Sequence, residues 1–299
     1  MSTPTIKQLD AFYWAATCAN FATAAQRLHL SVSSLSKRIN ELEQALGRPL
    51  FDRSGHRAVL TLDGERLLPA AVRVLESVAA LQDTFAEHQG LTGRLRFGVG
   101  ELSALTWLPR FVAAVQKLHP QLQLEPYVDV GAVLEGQVET GELDFAVVAG
   151  RSSRSSILSQ PVADAQFAWM AAQALVGNKR TLTPELLAKH ALVTLPAGAG
   201  TTRILDEWLL ARGINNARRI ACNNWSAVAG MLCEGVGIGF LPAGWTAAQA
   251  SGEEGSALVR LASQPPLSPL HYAFQWRRAD MRGLVPAMLA LVRQYADFR

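Results

Sequence analysis

ATAAQRLHLSVSSLSKRINELEQALG, residues 22–47, sets two helical patterns back to back. A short helix over residues 23–28 is followed by only His29 and Leu30 before a longer helix over 31–46. Ser31 is suited to cap the second helix, because a serine oxygen accepts from the free amides of a first turn. Apolar side chains at 32, 35, 39, 42 and 46 recur at helical spacing and predict a stripe packed into a core. The opposite face is thereby assigned: Ser33, Ser36, Lys37 and Asn40, with Ser34 and Arg38 flanking. Short hydroxyl side chains near a helix start let that turn enter a major groove, where hydroxyl, amide and ammonium groups reach base edges or phosphates.

Working outward, the pattern is almost wholly helical up to about Phe85 and is interrupted by one predicted hairpin, residues 50–53 and 57–61 around Ser54, Gly55 and His56. Arg53 and Arg57 on that hairpin are placed to touch flanking phosphates, with Thr23, Arg27 and Arg48 as further candidates. A lysine–arginine pair alone reads equally as a solvated helix face. The capped tri-helical pattern combined with a cationic hairpin favours a DNA reader. From Leu67 to Phe85 a wide apolar stripe suits either a partner helix or the chain's own domain, and Pro69 is expected to kink or restart this helix.

Beyond the glycines at 90 and 93, which mark a hinge over 90–93, short β-rich runs alternate with amphipathic helices, an α/β pattern. A second α/β stretch begins near Val162, and Pro265, Pro266 and Pro269 precede a last strand over 271–276 and a helix from Met281. The chain of 299 residues carries a net charge of +3, which permits a polyanionic partner without requiring one. Three cysteines without paired spacing argue against a disulfide framework and a zinc cluster. The opening residues lack a secretory pattern and no run is long enough to span a bilayer, so a cytoplasmic protein without a membrane partner is expected.

The stretch ATAAQRLHLSVSSLSKRINELEQALGRPLFDRSGHRAVLTLDGERLLPAA closely resembles the N-terminal half of the LysR-type transcriptional regulators. The resemblance rests on Ala24-Ala25, the Ser31 start, Ser36 before two cations and Ile39, Leu42-Glu43, Leu46-Gly47, Leu50-Phe51 with Arg53, and Leu60-Thr61 with Gly64. Where the family commonly has Gln-Pro-Ala after the first serine, this chain has Val32-Ser33-Ser34, which leaves the preferred operator open. The resemblance implies a winged helix-turn-helix over 1–61, a dimerising linker helix over 62–89, and a two-lobed effector domain similar to periplasmic binding proteins. Lobe I is then 94–161 with 267–299, and lobe II is 162–266. It further implies double-stranded DNA, a small-molecule effector such as an organic acid, a second copy of the chain in dimers and tetramers, and RNA polymerase as partners, with no cofactor, metal or catalytic residue.

Cleft candidates follow from position. Glu101, Leu102 and Ser103 start a helix after the first strand; Gly198, Gly200, Thr201 and Thr202 start another; Asn223, Asn224 and Trp225 follow the run ARRIAC; Asp129 and Arg151 lie just beyond strand ends. Ser103, Thr201 and Thr202 read equally as plain caps, and Trp225 as partly core. A carboxylate at Glu101 would repel an anionic effector unless it turns away or binds a donor. Three rival classes fit less well. The glycines at 98, 100, 235, 237 and 239 do not form the G-x-G-x-x-G of a nicotinamide-dependent enzyme, no G-x-S-x-G elbow marks a hydrolase, and a secreted solute receptor would carry a signal segment and no DNA reader.

Overall fold

The computed structural model describes residues 3–54, 58–85, 90–214, 217–245, 258–280 and 282–298. The first unit is helical: α1 (Ile6–Thr17), α2 (Phe21–Arg27) and α3 (Val32–Leu46), followed by β1 (Phe51–Asp52), β2 (Val59–Leu60) and α4 (Leu62–Phe85). Local chemistry starts each helix. Thr5 and Gln8 form a reciprocal capping box on α1, the Asn20 side chain accepts from the Thr23 amide, and Ser31 accepts from the Ser34 amide at 3.1 Å. Gly47 closes α3 in the left-handed region, at φ 64°.

Leu35, Ile39 and Leu42 are fully buried against Phe12, Ala24 and Ala25 in the core of this unit. The expected hairpin forms as the antiparallel pair Phe51–Leu60 and Asp52–Val59. Pro69 neither ends nor restarts a helix: α4 continues through it from Leu62 to Phe85. It is the eighth residue of the helix, which runs on past it without the one backbone bond that its missing N–H cannot make.

Two five-stranded sheets follow. Lobe I contains β3 (Gly93–Val99), α5 (Glu101–Thr106), α6 (Leu108–Leu118), β4 (Leu122–Val128), α7 (Gly131–Thr140), β5 (Phe145–Ala149) and β6 (Ile157–Ala165). Lobe II contains β7 (Phe167–Ala172), α8 (Gln173–Val176), α9 (Pro184–Lys189), β8 (Ala191–Thr194), α10 (Gly200–Leu210), β9 (Arg219–Ala221), α11 (Trp225–Cys233), β10 (Gly237–Pro242) and β11 (Leu258–Leu261). The chain then returns to lobe I as β12 (Leu270–Arg277) and α13 (Leu284–Tyr295); Met281, the expected helix start, lies outside the described residues.

The lobe I order is β4-β3-β5-β12-β6, with β12 antiparallel to both neighbours; the lobe II order is β11-β7-β10-β8-β9. The first crossover therefore falls between Ala165 and Phe167, later than the boundary at 161 expected from sequence, because β6 pairs with β12 along its whole length. One apolar core runs through both lobes, with Phe145 stacked between Phe97 and Phe274 at 5.1 and 4.4 Å.

Gly64 shows how tightly α4 is seated on the rest of the helical unit. A Cβ there would lie 2.3 Å from the Leu50 carbonyl oxygen, which is backbone and has little room to give. Gly64→Ala should destabilise the protein by about 1–3 kcal/mol, as overpacking of a rigid contact does. Urea unfolding followed by circular dichroism measures this, and an unchanged midpoint would show that the helix has room to shift.

Candidate nucleic-acid interface and ligand cleft

On α3 the burial pattern separates two faces. Ser31, Ser33, Ser34, Lys37 and Asn40 are exposed, and Ser36 and Arg38 are half-buried at the margins. The Ser31 hydroxyl lies 2.9 Å from that of Ser33 and 2.8 Å from that of Ser34, so the first turn presents a compact hydroxyl cluster. Arg53 is exposed and anchored: its Nη2 donates to Asn40 Oδ1 at 2.8 Å and lies 3.5 Å from a Glu43 oxygen, while its guanidinium sits over the Phe21 ring. Glu43 Oε1 in turn accepts from the Leu50 and Phe51 amides, fixing the hairpin base to α3. These bonds join α3 and the hairpin into one surface. Thr23 is half-buried at the start of α2, and Arg48, exposed, pairs with Asp63 at 3.7 Å. Arg57 lies outside the described residues.

Arg27 is a correction. Its side chain is only 4 % exposed and points at lobe I, where Nη2 lies 3.1 Å from Asp144 Oδ1 and Nε donates to the Gly141 carbonyl at 2.6 Å. A guanidinium held in this way is not part of the exposed face of α3. Sequence reasoning missed the partner set, Asp144, Asp280 and Arg282, because it lies more than a hundred residues away and carries no local motif. Asp144 is completely buried. Burial alone would push its carboxyl up, but Arg282 and Arg27 together bring it below the ordinary range.

The cleft candidates divide in two. Glu101, at the start of α5, reaches across to lobe II, where Oε1 accepts from Asn224 Nδ2 at 2.8 Å and from the Trp225 amide at 3.0 Å. The carboxylate thus occupies the amino end of α11, whose own cap, Asn224 Oδ1, accepts from Ala227. Partial burial raises the Glu101 pKa and the Trp225 amide opposes the rise. Leu102 is core, and Trp225 is buried and stacked on Phe167.

At α10 the amino end has no side-chain cap, and Gly200 packs against Ala149 and Leu270 of lobe I. The Thr202 hydroxyl donates to the Leu195 and Pro196 carbonyls, as a plain structural bond. Thr201 Oγ1 and Ser103 Oγ are buried without a hydrogen-bond partner. Gly198 turns the chain into α10 at φ 92°. Asn223, exposed, directly precedes the α11 cap. Asp129 is exposed and accepts from the Val130 amide, and Arg151 is exposed beyond β5. Among the described residues, no group of three or more His, Cys, Asp or Glu is placed to hold a metal, and no helix is long and apolar enough to cross a membrane.

The family model described as "Bacterial regulatory helix-turn-helix protein, lysR family" matches residues 6–65, and that described as "LysR substrate binding domain" matches residues 88–297. The HTH-type transcriptional regulator YofA of Bacillus velezensis is 28% identical over 235 residues, covering 79% of this chain and 80% of its own. The HTH-type transcriptional regulator MetR of Escherichia coli is 27% identical over 238 residues, covering 79% and 74%. A full-length OxyR variant from Pseudomonas aeruginosa superposes with a TM-score of 0.63 at 23% identity, covering 99% of this chain and all of the other, so the whole architecture is shared.

Asp144 and Asp280 both titrate lower in the folded chain than the ordinary aspartate value of 3.8; at Asp280 burial acts upward and Arg282 and Arg277 outweigh it. The unfolded chain therefore binds protons more readily, so the stability these carboxylates contribute is present above that value and is lost as pH falls through it toward the folded values. Thermal melts should drop steeply on acidification below about pH 4. Asp280→Asn should flatten the drop, and an identical acid limb in the variant would remove this pair from the account.

Proposed function

Because the chain belongs to the LysR family of DNA-binding transcription regulators, with a helix-turn-helix followed by a substrate-binding domain, we propose that it controls transcription by inserting the Ser33–Lys37–Asn40 face of α3 into a major groove while a small organic acid is sensed in the interlobe cleft. One observation carries the DNA half of this reading: that face is exposed while Leu35, Ile39 and Leu42 behind it are fully buried. Ser33, Ser34 and Asn40 are groups that read base edges, and Lys37, Arg38 and Arg53 are cations for phosphates or guanine edges.

For the effector, the amino end of α10 is the supported seat. Its first amides lack a side-chain acceptor, and the unpartnered Thr201 hydroxyl lies in the same turn. The amino end of α11 is already taken by Glu101, so a ligand carboxylate is directed to α10. The exposed side of α4, with Arg73, Val74, Ser77 and Leu81, is suited to a second copy of the chain, and two readers so joined would address two half-sites. Work in the cytoplasm and contact with RNA polymerase belong to the same reading, as does the absence of a catalytic role.

The purified protein should shift a duplex from its own upstream region, with a log–log salt slope of about −4 or steeper, and salt-independent or absent binding would remove the DNA reading. Lys37→Ala and Arg53→Ala should each weaken specific binding by about 1–3 kcal/mol. Unchanged affinity in both would mean that another face meets the duplex. In a thermal-shift panel of mono- and dicarboxylates, a stabilising acid at about 100 times its dissociation constant should add about 2.7 kcal/mol. That gain should shrink in Thr201→Val, and an equal shift in this variant would move the ligand away from α10.

A further inference from the structure

The contact that removes Arg27 from the DNA face is larger than one ion pair. From the reader, Tyr13 Oη donates to Asp280 Oδ1 at 3.1 Å, and the Ala19 amide donates to the Thr140 carbonyl at 3.0 Å. Two guanidinium groups, Arg27 of the reader and Arg282 of lobe I, each lie 4.9 Å from the centroid of the Trp14 ring. From lobe I, Asp144 accepts from the Arg96 amide at 2.8 Å and from Arg282 Nη2 at 2.6 Å, so its position is set by β3 and by the loop before α13. Cys18 lies in the seam: a Cβ on Gly141 of lobe I would come within 2.8 Å of its sulfur.

The charges describe a contact that can form and release. Within lobe I, Arg277 and Arg282 already balance Asp144 and Asp280. Within lobe I the two aspartates are thus matched without Arg27, whereas Arg27, buried over the Trp14 ring, has Asp144 and the Gly141 carbonyl as its polar partners among the described residues, and its Nη2 makes no hydrogen bond. A buried pair whose desolvation nearly cancels its attraction fixes orientation more than it adds stability. The recognition face is also free in this arrangement, since Ser33, Lys37 and Asn40 stay exposed while Arg27 is engaged.

We propose that the reader and lobe I are latched into one body by Arg27 on Asp144, that the latch stays closed on DNA, and that a change of angle between the lobes therefore swings the reader as a whole. The last step rests on the effector reading above; the latch itself does not. The strands of lobe I connect the two ends. β5 begins directly after Asp144 at the latch and ends at Ala149 beside Gly200, and its partner β12 runs from Leu270, also beside Gly200, to Arg277 at the latch. The seat proposed for the ligand and the grip on the reader thus lie at opposite ends of the same two paired strands.

Cys18 reports the latch without any engineered label. Alkylation of the intact protein by N-ethylmaleimide, resolved by peptide mass spectrometry, should be slow at Cys18 in the wild type. It should be faster by about tenfold or more in Arg27→Met, which changes no residue of lobe I, and in Asp144→Asn if that variant keeps its circular dichroism. Protection should persist when the upstream duplex is bound, while Arg27→Met on the same duplex stays fast, which shows that DNA does not itself shield the thiol. Equal rates in wild type and Arg27→Met would overturn the latch. Loss of protection on adding DNA would overturn the single moving body. Failure to bind any duplex would count against the regulator reading instead, since protection in the free protein is measured first.

Discussion

The helical period of α3 is the constraint on which the reader depends. Three side chains at three- and four-residue steps, Leu35, Ile39 and Leu42, are removed from water completely, and burying each is worth about 1.5–3 kcal/mol. That gain fixes the rotation of the helix about its axis. Once the rotation is fixed, the serines, Lys37 and Asn40 have one direction left, away from the core. Turning the helix by a single residue position would bury Lys37 or Ser36 and expose Ile39 or Leu35, each change unfavourable. The functional surface is the remainder after the core has been satisfied.

Around this helix, what was legible in the sequence was what depends on neighbours in the chain. Ser31 as a cap, the hairpin at Phe51 and Leu60, and the alternation of strands and helices after Gly93 all follow from chemistry within a few residues. Arg27 was misread because its environment is set by Asp144, and a cation on a basic-looking helix carries no local mark of a carboxylate 117 positions away. The first lobe crossing was placed too early for the same reason. Nothing near Val162 announces that β6 continues along β12 as far as Ala165, since that pairing is made by residues after 269.

Glu101 shows an ambiguity in sequence settled by geometry. A carboxylate at the start of a cleft helix conflicts with an anionic ligand if it faces the cavity alone. Here it is consumed by two donors of the opposite lobe, and in that position it clasps lobe I to lobe II while satisfying the first amide of α11, that of Trp225. The starts of α10 and α11 consequently differ: α11 carries an internal acid and α10 has no side-chain cap.

The place of β12 has a bearing on synthesis. This strand lies between β5 and β6 in its sheet, so the middle of lobe I is supplied by residues 270–277, late in the chain. As the polypeptide leaves the ribosome, the helical unit can close its core long before the first lobe can close its own. For most of translation the nascent reader has no Arg277, Asp280 or Arg282 to dock against. A truncated product ending before β12 would therefore release a duplex-seeking head with neither a finished sensor nor a restraint on its orientation.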